Sequence, residues 1–321
     1  MTHLSADCRT IGAYDLRRAT EAAALAAYDW IGRGDKSQGD HAAVAAMWRE
    51  LDSLPLDGLM LVGEGPRSEI SMLYHGQRFG NSSAAPAWDL AVDPVEGTSF
   101  LAKGMTNAMA VVAMAPHGSL FNPLPAFYME KLAVPPAAKG KVDPAAPVAE
   151  RLRQLSEAIN KPIDDMTIYV IEKPRHRALV EDIHAAGARV ALYPAGDVAG
   201  ALMAAIPGSG IDALMGTGGT PEGMLSAIAI RGMGGEFMAR IDPQLASEHA
   251  AVEAAGMDTK RWHALEDLVR SDDVVFCATG ITTGLLLEGI ERTRTHIKTQ
   301  TLMIGGESGP RQMLTSWHNR V

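Results

Sequence analysis

At 321 residues the chain holds one large domain or two of ordinary size. Its formal charge of −9 argues against a nucleic-acid backbone or an anionic membrane as the main partner. Two cysteines, Cys8 and Cys277, give neither a disulfide framework nor a zinc-ligand spacing.

Nearly half of the residues are apolar but only 5% are aromatic, so the core must close on alanine, glycine and flexible methionine. That composition fits helices layered on sheets. The first residues carry no hydrophobic signal region and no apolar stretch is long enough to span a membrane, which makes a reducing cytoplasm the expected location.

Residues 14–31 have an alanine-rich helical pattern, with Leu16, Ala19, Ala23, Ala26 and Ala27 near one face. The pattern ends in Gly32-Arg33-Gly34-Asp35-Lys36, too glycine-rich to stay helical. A second helix is expected over 40–51, with Asp40 as its N-cap. Leu59-Met60-Leu61-Val62 reads as a buried strand that stops at Gly63-Glu64-Gly65. Further strands are expected over 72–79, 88–92 and 108–115, and the turn at His117-Gly118 suggests an antiparallel return. Residues 137–147, rich in Pro, Ala and Lys, read as an exposed connection.

The pattern changes near Met166. Strands are expected over 167–171, 189–193 and 211–215, with helices over 178–186, 198–206 and 221–230 between and after them. A strand at 274–278 closes the series, and Cys277 within it reads as a core thiol. Strand–helix alternation with short loops implies a parallel sheet covered by helices, with ligands at the carboxyl ends of its strands. The expected division is an N-terminal α+β domain, 1–165, and a C-terminal α/β domain, 166–321.

The chemistry concentrates in turns. Asp93-Pro94-Val95-Glu96-Gly97-Thr98 follows the apolar run Asp89-Leu90-Ala91-Val92 and brings two carboxylates, a hydroxyl and free N–H groups close together. Pro94 cannot donate to a strand ladder, and Gly97 removes a Cβ that would keep a ligand from the backbone. Asp35, Glu64 and Glu222 also sit beside glycines in turns. Acids of this kind usually just solvate a turn, but five converging on one crevice would repel unless cations neutralised them. Hard divalent cations suit such oxygen clusters, and two of them suit phosphoryl transfer.

Residues 216–223, Gly-Thr-Gly-Gly-Thr-Pro-Glu-Gly, read either as a phosphate cradle or as a strand-to-helix turn packed closely on glycine. Lys173 and Arg175, in Lys173-Pro174-Arg175-His176, suit a second phosphate or form a solvated basic loop. His176 reads either as a general acid or, the better reading, as a helix-start histidine bonded to backbone. No Walker lysine or Rossmann spacing supports nucleotide binding.

The ordered set Gly-Arg-Gly-Asp-Lys, Gly-Glu-Gly, Asp-Pro-Val-Glu-Gly-Thr, Phe127-Tyr128-Met129-Glu130-Lys131, Lys-Pro-Arg-His and Gly-Gly-Thr-Pro-Glu-Gly resembles class II fructose-1,6-bisphosphatase. It runs from about Asp15 to Thr282, most of the chain. That family belongs with the inositol monophosphatase-like, lithium-sensitive metallophosphatases. The resemblance implies a layered α/β sandwich of two domains with the active site between them.

It also implies that Asp35 and Glu64 bind one Mg²⁺ or Mn²⁺, and that Asp93, Glu96 and Glu222 bind another. Thr98 would position and help deprotonate the attacking water. Glu96, Gly97 and Thr98 would face the scissile phosphate. Tyr128, Lys173, Pro174, Arg175, Ala195, Gly196, Asp197 and Gly219 would line the remaining substrate. The implied substrate is a sugar bisphosphate, hydrolysed from fructose 1,6-bisphosphate to fructose 6-phosphate in gluconeogenesis, by a homo-oligomer (dimer or tetramer).

Sedoheptulose 1,7-bisphosphate is the alternative substrate, and a weakly catalytic sugar-phosphate sensor is the alternative function. The chain departs from the family pattern twice. Residues 66–71 lack two acids and carry Arg67, and Ala195-Gly196-Asp197 stands where Asp-Gly-Asp is usual.

Overall fold

The computed structural model describes residues 11–80, 86–305, 309 and 311–320, so Cys8 lies outside the described residues. Helix α1, Ala13–Tyr28, buries Leu16, Ala19, Thr20, Ala23, Ala24 and Ala27, spaced three and four apart along one face. Helix α2, Lys36–Ser53, packs beside it. The strand β1, Gly58–Val62, pairs antiparallel with β2, Arg78–Phe79, and parallel with β3, Trp88–Glu96. A short helix α3, Thr98–Lys103, follows β3, and β4, Met109–Pro116, returns antiparallel along it.

The middle of the chain builds a second sheet. Its members are β5, Tyr128–Val134; β6, Thr167–Ile171; β7, Arg189–Tyr193; β8, Ala213–Gly219; and β9, Glu236–Ile241. They lie in the order β7-β6-β8-β5-β9. Between and beside them run α4, Val148–Ile159; α5, Arg177–Ala185; α6, Asp197–Ala205; α7, Thr220–Met233; α8, Ala246–Ala254; and α9, Leu265–Leu268. The C-terminal strands then rejoin the first sheet. They are β10, Val275–Gly280; β11, Glu291–Arg292; β12, His296–Gly305; and β13, Gln312–Asn319. The first sheet has eight strands among the described residues, in the order β11-β12-β10-β4-β3-β1-β2, with β13 on the outer side of β12.

Strand alternation sorts the apolar side chains into layers. On β3 and β4, Leu90, Val92, Ala110 and Val112 face α1 and α2, with Cys277 among them. Ala91, Val111 and Ala113 face the other way, onto α6 and α7. The same two helices meet Met129, Ala133, Leu214 and Phe237 of the second sheet. On that sheet's outer side Leu132, Val170 and Met215 pack against Leu152 and Leu155 of α4 and Ile183 of α5. The result is helices, sheet, helices, sheet, helices. Every residue of α6 is buried, as befits a helix enclosed on both sides.

Several sequence expectations need correction. The stretch 211–215 and its partners form only a three-strand parallel core, β7-β6-β8, because β8–β5 and β5–β9 are antiparallel. The strand expected at 274–278 belongs to the first sheet, antiparallel between β4 and β12. Strands buried on both faces read as continuous apolar runs in either direction, so pattern alone cannot assign them to a sheet. For the same reason residue 165 does not separate the sheets: β5 precedes it yet lies inside the second, and β10 to β13 follow it yet extend the first. Of the strand expected over 72–79, only Arg78–Phe79 forms. No helix among the described residues is long and apolar enough to cross a membrane.

Candidate active site

The strand β3 does not stop at Pro94. Its register against β4 shifts between Asp93 and Glu96, opposite Val111 and Met109. A bulge of this kind re-aims side chains next to a site, and here both Asp93 and Glu96 line one cleft. Asp93 Oδ1 also accepts from Val95 N–H at 3.1 Å. Gly97 follows with φ 89°, a left-handed conformation suited to glycine, and turns the chain into α3, so that Thr98 opens that helix at the cleft.

The cleft has a volume of about 890 Å³ and gathers the ends of strands from both sheets. From the first come Glu64, just beyond β1, and Asp93, Glu96, Gly97, Thr98 and Ser99. From the second come Tyr128 at the start of β5, Lys173 and Arg175 beyond β6, Ala195, Gly196 and Asp197 beyond β7, and Gly219 and Glu222 beyond β8. Carboxylate oxygens of Asp93, Glu96 and Glu222 lie within 4.8 Å of one another.

Burial and crowding shape the charge of this cluster. Burial holds the carboxyls of Asp93 and Glu96 well above the usual range, and neighbouring acids add to it: Glu64 and Glu222 for the first, Asp93 and Glu222 for the second. Glu222 is raised by burial, against the pull of the Lys131 ammonium. Glu64 is pushed up from 4.5 to about 8 by burial and by the charges of Asp40 and Glu222.

Glu222 Oε2 is buried with no hydrogen-bond partner among the described residues. A set of hard carboxylate oxygens with an orphaned acceptor fits a hard divalent cation.

Nearly the whole sequence matches one family model. Residues 10–318 fit "Bacterial fructose-1,6-bisphosphatase, glpX-encoded". "Fructose-1,6-bisphosphatase 1 class 2" of Escherichia coli K12 is 42% identical over 319 residues, covering 95% of this chain and 94% of that protein. The "Fructose-1,6-bisphosphatase class 2" proteins of Escherichia coli O6:H1 and Shigella flexneri match equally. The chain belongs to the glpX-encoded bacterial fructose-1,6-bisphosphatase family. Among solved structures, the extragenic suppressor protein SuhB of Bartonella henselae aligns at 14% identity and a TM-score of 0.33, over 58% of this chain and 68% of that one.

Most of the expected site residues meet in the cleft; Asp35 does not. It is exposed and caps α2, its Oδ1 accepting from Gln38 N–H at 3.0 Å. Asp40, read from sequence as that cap, lines the cleft instead, and its charge bears on Glu64 and Asp93. The two acids exchange roles because α2 begins four residues earlier than its composition suggests. Pro174 opens a tight turn, Pro174–His176, between the two cleft-lining basic residues. The segment 66–71 takes no part in the lining, and Arg67 lies over the Tyr74 ring at 5.5 Å, so this departure from the family pattern leaves the cleft alone.

The glycines at 216–223 answer to packing. A Cβ on Gly216 would meet His176 Nε2 at 2.9 Å, and one on Gly219 would meet Glu222 Oε2 at 2.0 Å. His176 is structural: Nδ1 bonds the Ile171 carbonyl at 2.6 Å and Nε2 accepts from Thr217 N–H at 2.8 Å. Arg175 is held by the Thr217 carbonyl, which accepts from Nε at 3.1 Å and Nη2 at 2.8 Å, and its guanidinium lies 5.1 Å over the Tyr128 ring. Sequence reasoning also missed Phe127 and Leu245, apolar residues that complete the wall.

Proposed function

We propose that this cleft hydrolyses the 1-phosphate of fructose 1,6-bisphosphate, giving fructose 6-phosphate and phosphate. The observation that carries the reading is the meeting of Asp93, Glu96 and Glu222 within 4.8 Å in a cleft whose wall also bears Lys173 and Arg175. Asp93, Glu96 and Glu222 would hold one Mn²⁺ or Mg²⁺, and Asp40 with Glu64 a second. When bound, such cations polarise phosphoryl oxygens and lower the pKa of a water.

The chain's own groups supply position. Thr98 directs its hydroxyl at the attacking water and keeps it in line with the phosphorus. The N–H groups of Thr98 and Ser99, which open α3 at the cleft, serve the phosphoryl oxygens, while those of Phe100 and Leu101 already bond the Gly97 carbonyl. Lys173 and Arg175 hold the distant phosphate, while Tyr128 and Asp197 meet the sugar. In a loose transition state the charge spreads over the equatorial oxygens, so positioned donors and charges provide most of the acceleration.

Purified protein with Mn²⁺ or Mg²⁺ is expected to release phosphate from fructose 1,6-bisphosphate in a malachite-green assay. No release above background from any sugar bisphosphate would end the enzymatic reading. Ala195 presents only a methyl group to the cleft, which favours sedoheptulose 1,7-bisphosphate as a second substrate. The ratio of kcat/KM for the two sugars ranks them.

The exchange between Asp35 and Asp40 is separable by mutation. Asp35→Ala is expected to cost about 1 kcal/mol through the lost cap, with turnover kept. Asp40→Asn is expected to raise the Mn²⁺ concentration needed for half-maximal activity at least tenfold. The reverse pattern would return Asp35 to the site.

A further inference from the structure

Lys131 is the buried cation of this cleft region. It lies three residues after Tyr128 on β5, on the strand face shared by Met129 and Ala133, and is 1% exposed. Lysine is almost never fully buried without a partner. Here the partner is Asp197, the first residue of α6: Nζ donates to Oδ2. Asp197 lines the cleft, and its Oδ1 is buried with no hydrogen-bond partner among the described residues. Lys131 itself does not line the cleft.

The surroundings fit this pair closely. A Cβ on Gly218 would stand 1.7 Å from Asp197 Oδ2 and 2.9 Å from Lys131 Nζ. A Cβ on Gly223 would stand 3.2 Å from Lys131 Cε. The backbone entering Asp197 is constrained as well, because Gly196 has φ 98° and a Cβ there would meet Asn107 Nδ2 at 2.7 Å. Asp197 also faces the negative charges of Glu96 and Glu222, which would push an untethered carboxylate away.

We propose that Lys131 is a positioning residue that fixes Asp197 to accept a hydrogen bond from a sugar hydroxyl of the substrate. The proposal rests on the sugar-bisphosphatase reading above. With Oδ2 tied to the ammonium, the carboxylate cannot swing, and Oδ1, buried and otherwise unpartnered, is the acceptor left for the substrate hydroxyl. Lys131 therefore acts on sugar binding through Asp197, and its ammonium bears on Glu222 only as a charge.

Steady-state kinetics on the Mn²⁺-loaded enzyme test this, with inorganic phosphate as a competitive inhibitor that carries no sugar. Lys131→Met is expected to raise KM for fructose 1,6-bisphosphate about 10- to 100-fold, the worth of a hydrogen bond to a charged group. The inhibition constant of phosphate and kcat should stay within a few-fold. In the Asp197→Asn background, Lys131→Met should add nothing further to KM. This double variant removes both charges and keeps the volume, so it reads the coupling without the cost of a lone buried Asp197 charge.

Parallel losses in KM and phosphate inhibition, or additive effects of the two substitutions, would overturn the proposal. Absence of phosphate release from the unchanged enzyme would instead overturn the function on which it rests.

Discussion

Thr98→Ala is expected to lower kcat by about 10²- to 10⁴-fold, the usual worth of a positioned group that handles the nucleophile's proton. Thr98 opens α3 directly after the left-handed Gly97, so its place at the cleft is set by backbone and is not a matter of side-chain rotation alone. It carries no carboxylate, so the Mn²⁺ affinity of the variant, read by calorimetry, should match that of the unchanged protein. Thr98→Ser keeps the hydroxyl and is expected to retain most of the turnover. Equal turnover in Thr98→Ala would remove this residue from the mechanism. A loss in Thr98→Ser as deep as in Thr98→Ala would point to the methyl group and the fit of the turn.

Glu222→Gln is expected to cost about a thousandfold in kcat, since divalent cations supply several kcal/mol of transition-state stabilisation and need anionic oxygens to hold them. Glu222 is the carboxylate that the second sheet contributes to the cluster of Asp93 and Glu96. The same substitution should make the metal-free protein more stable. The acids of the site have folded pKa values above their unfolded ones, Glu64 at about 8 against 4.5. Between those values the folded state binds more protons than the unfolded state, so metal-free stability is full below about 4.5 and falls as pH rises towards 8.

Thermal melts in EDTA should therefore show Tm declining through that window. Added Mn²⁺ should raise Tm most at its upper end, because it replaces the protons. Glu222→Gln should flatten the decline. A metal-free Tm that is flat or rises with pH would mean that the acids are not crowded as described.

Much of this was legible in the residues. The motif at 93–98 announced both its strand and its acids, because an apolar run ending in Asp-Pro-x-Glu-Gly-Thr leaves few other conformations. Helices α1, α5, α6 and α7 show themselves by composition and by the glycines or prolines at their ends. Asp40 was hidden because either of two acids five residues apart, Asp35 and Asp40, can cap a helix, and only the actual start of α2 tells them apart.

Lys131 was hidden differently. Met-Glu-Lys-Leu reads as a charged surface stretch unless β5 is recognised as a strand, and then alternation places Lys131 on the apolar face with Met129. Strands β5 and β9 were missed because their partners are remote in sequence, and no short-range pattern records such pairings; β12 and β13 pair with each other as consecutive strands and were simply not read.

The interlacing of the sheets bears on how the protein is made. While the chain is being synthesised, β4 keeps its outer edge bare until β10 arrives near the C-terminus, and the enclosed α7 lacks the part of its cover that β10 and β12 supply. An apolar edge left open for so long invites pairing with a neighbouring nascent chain. Neither half severed from the other would own a complete sheet. Low temperature and slow expression should therefore raise the soluble yield, whereas supplying the two halves as separate polypeptides should give aggregates unless both are present together.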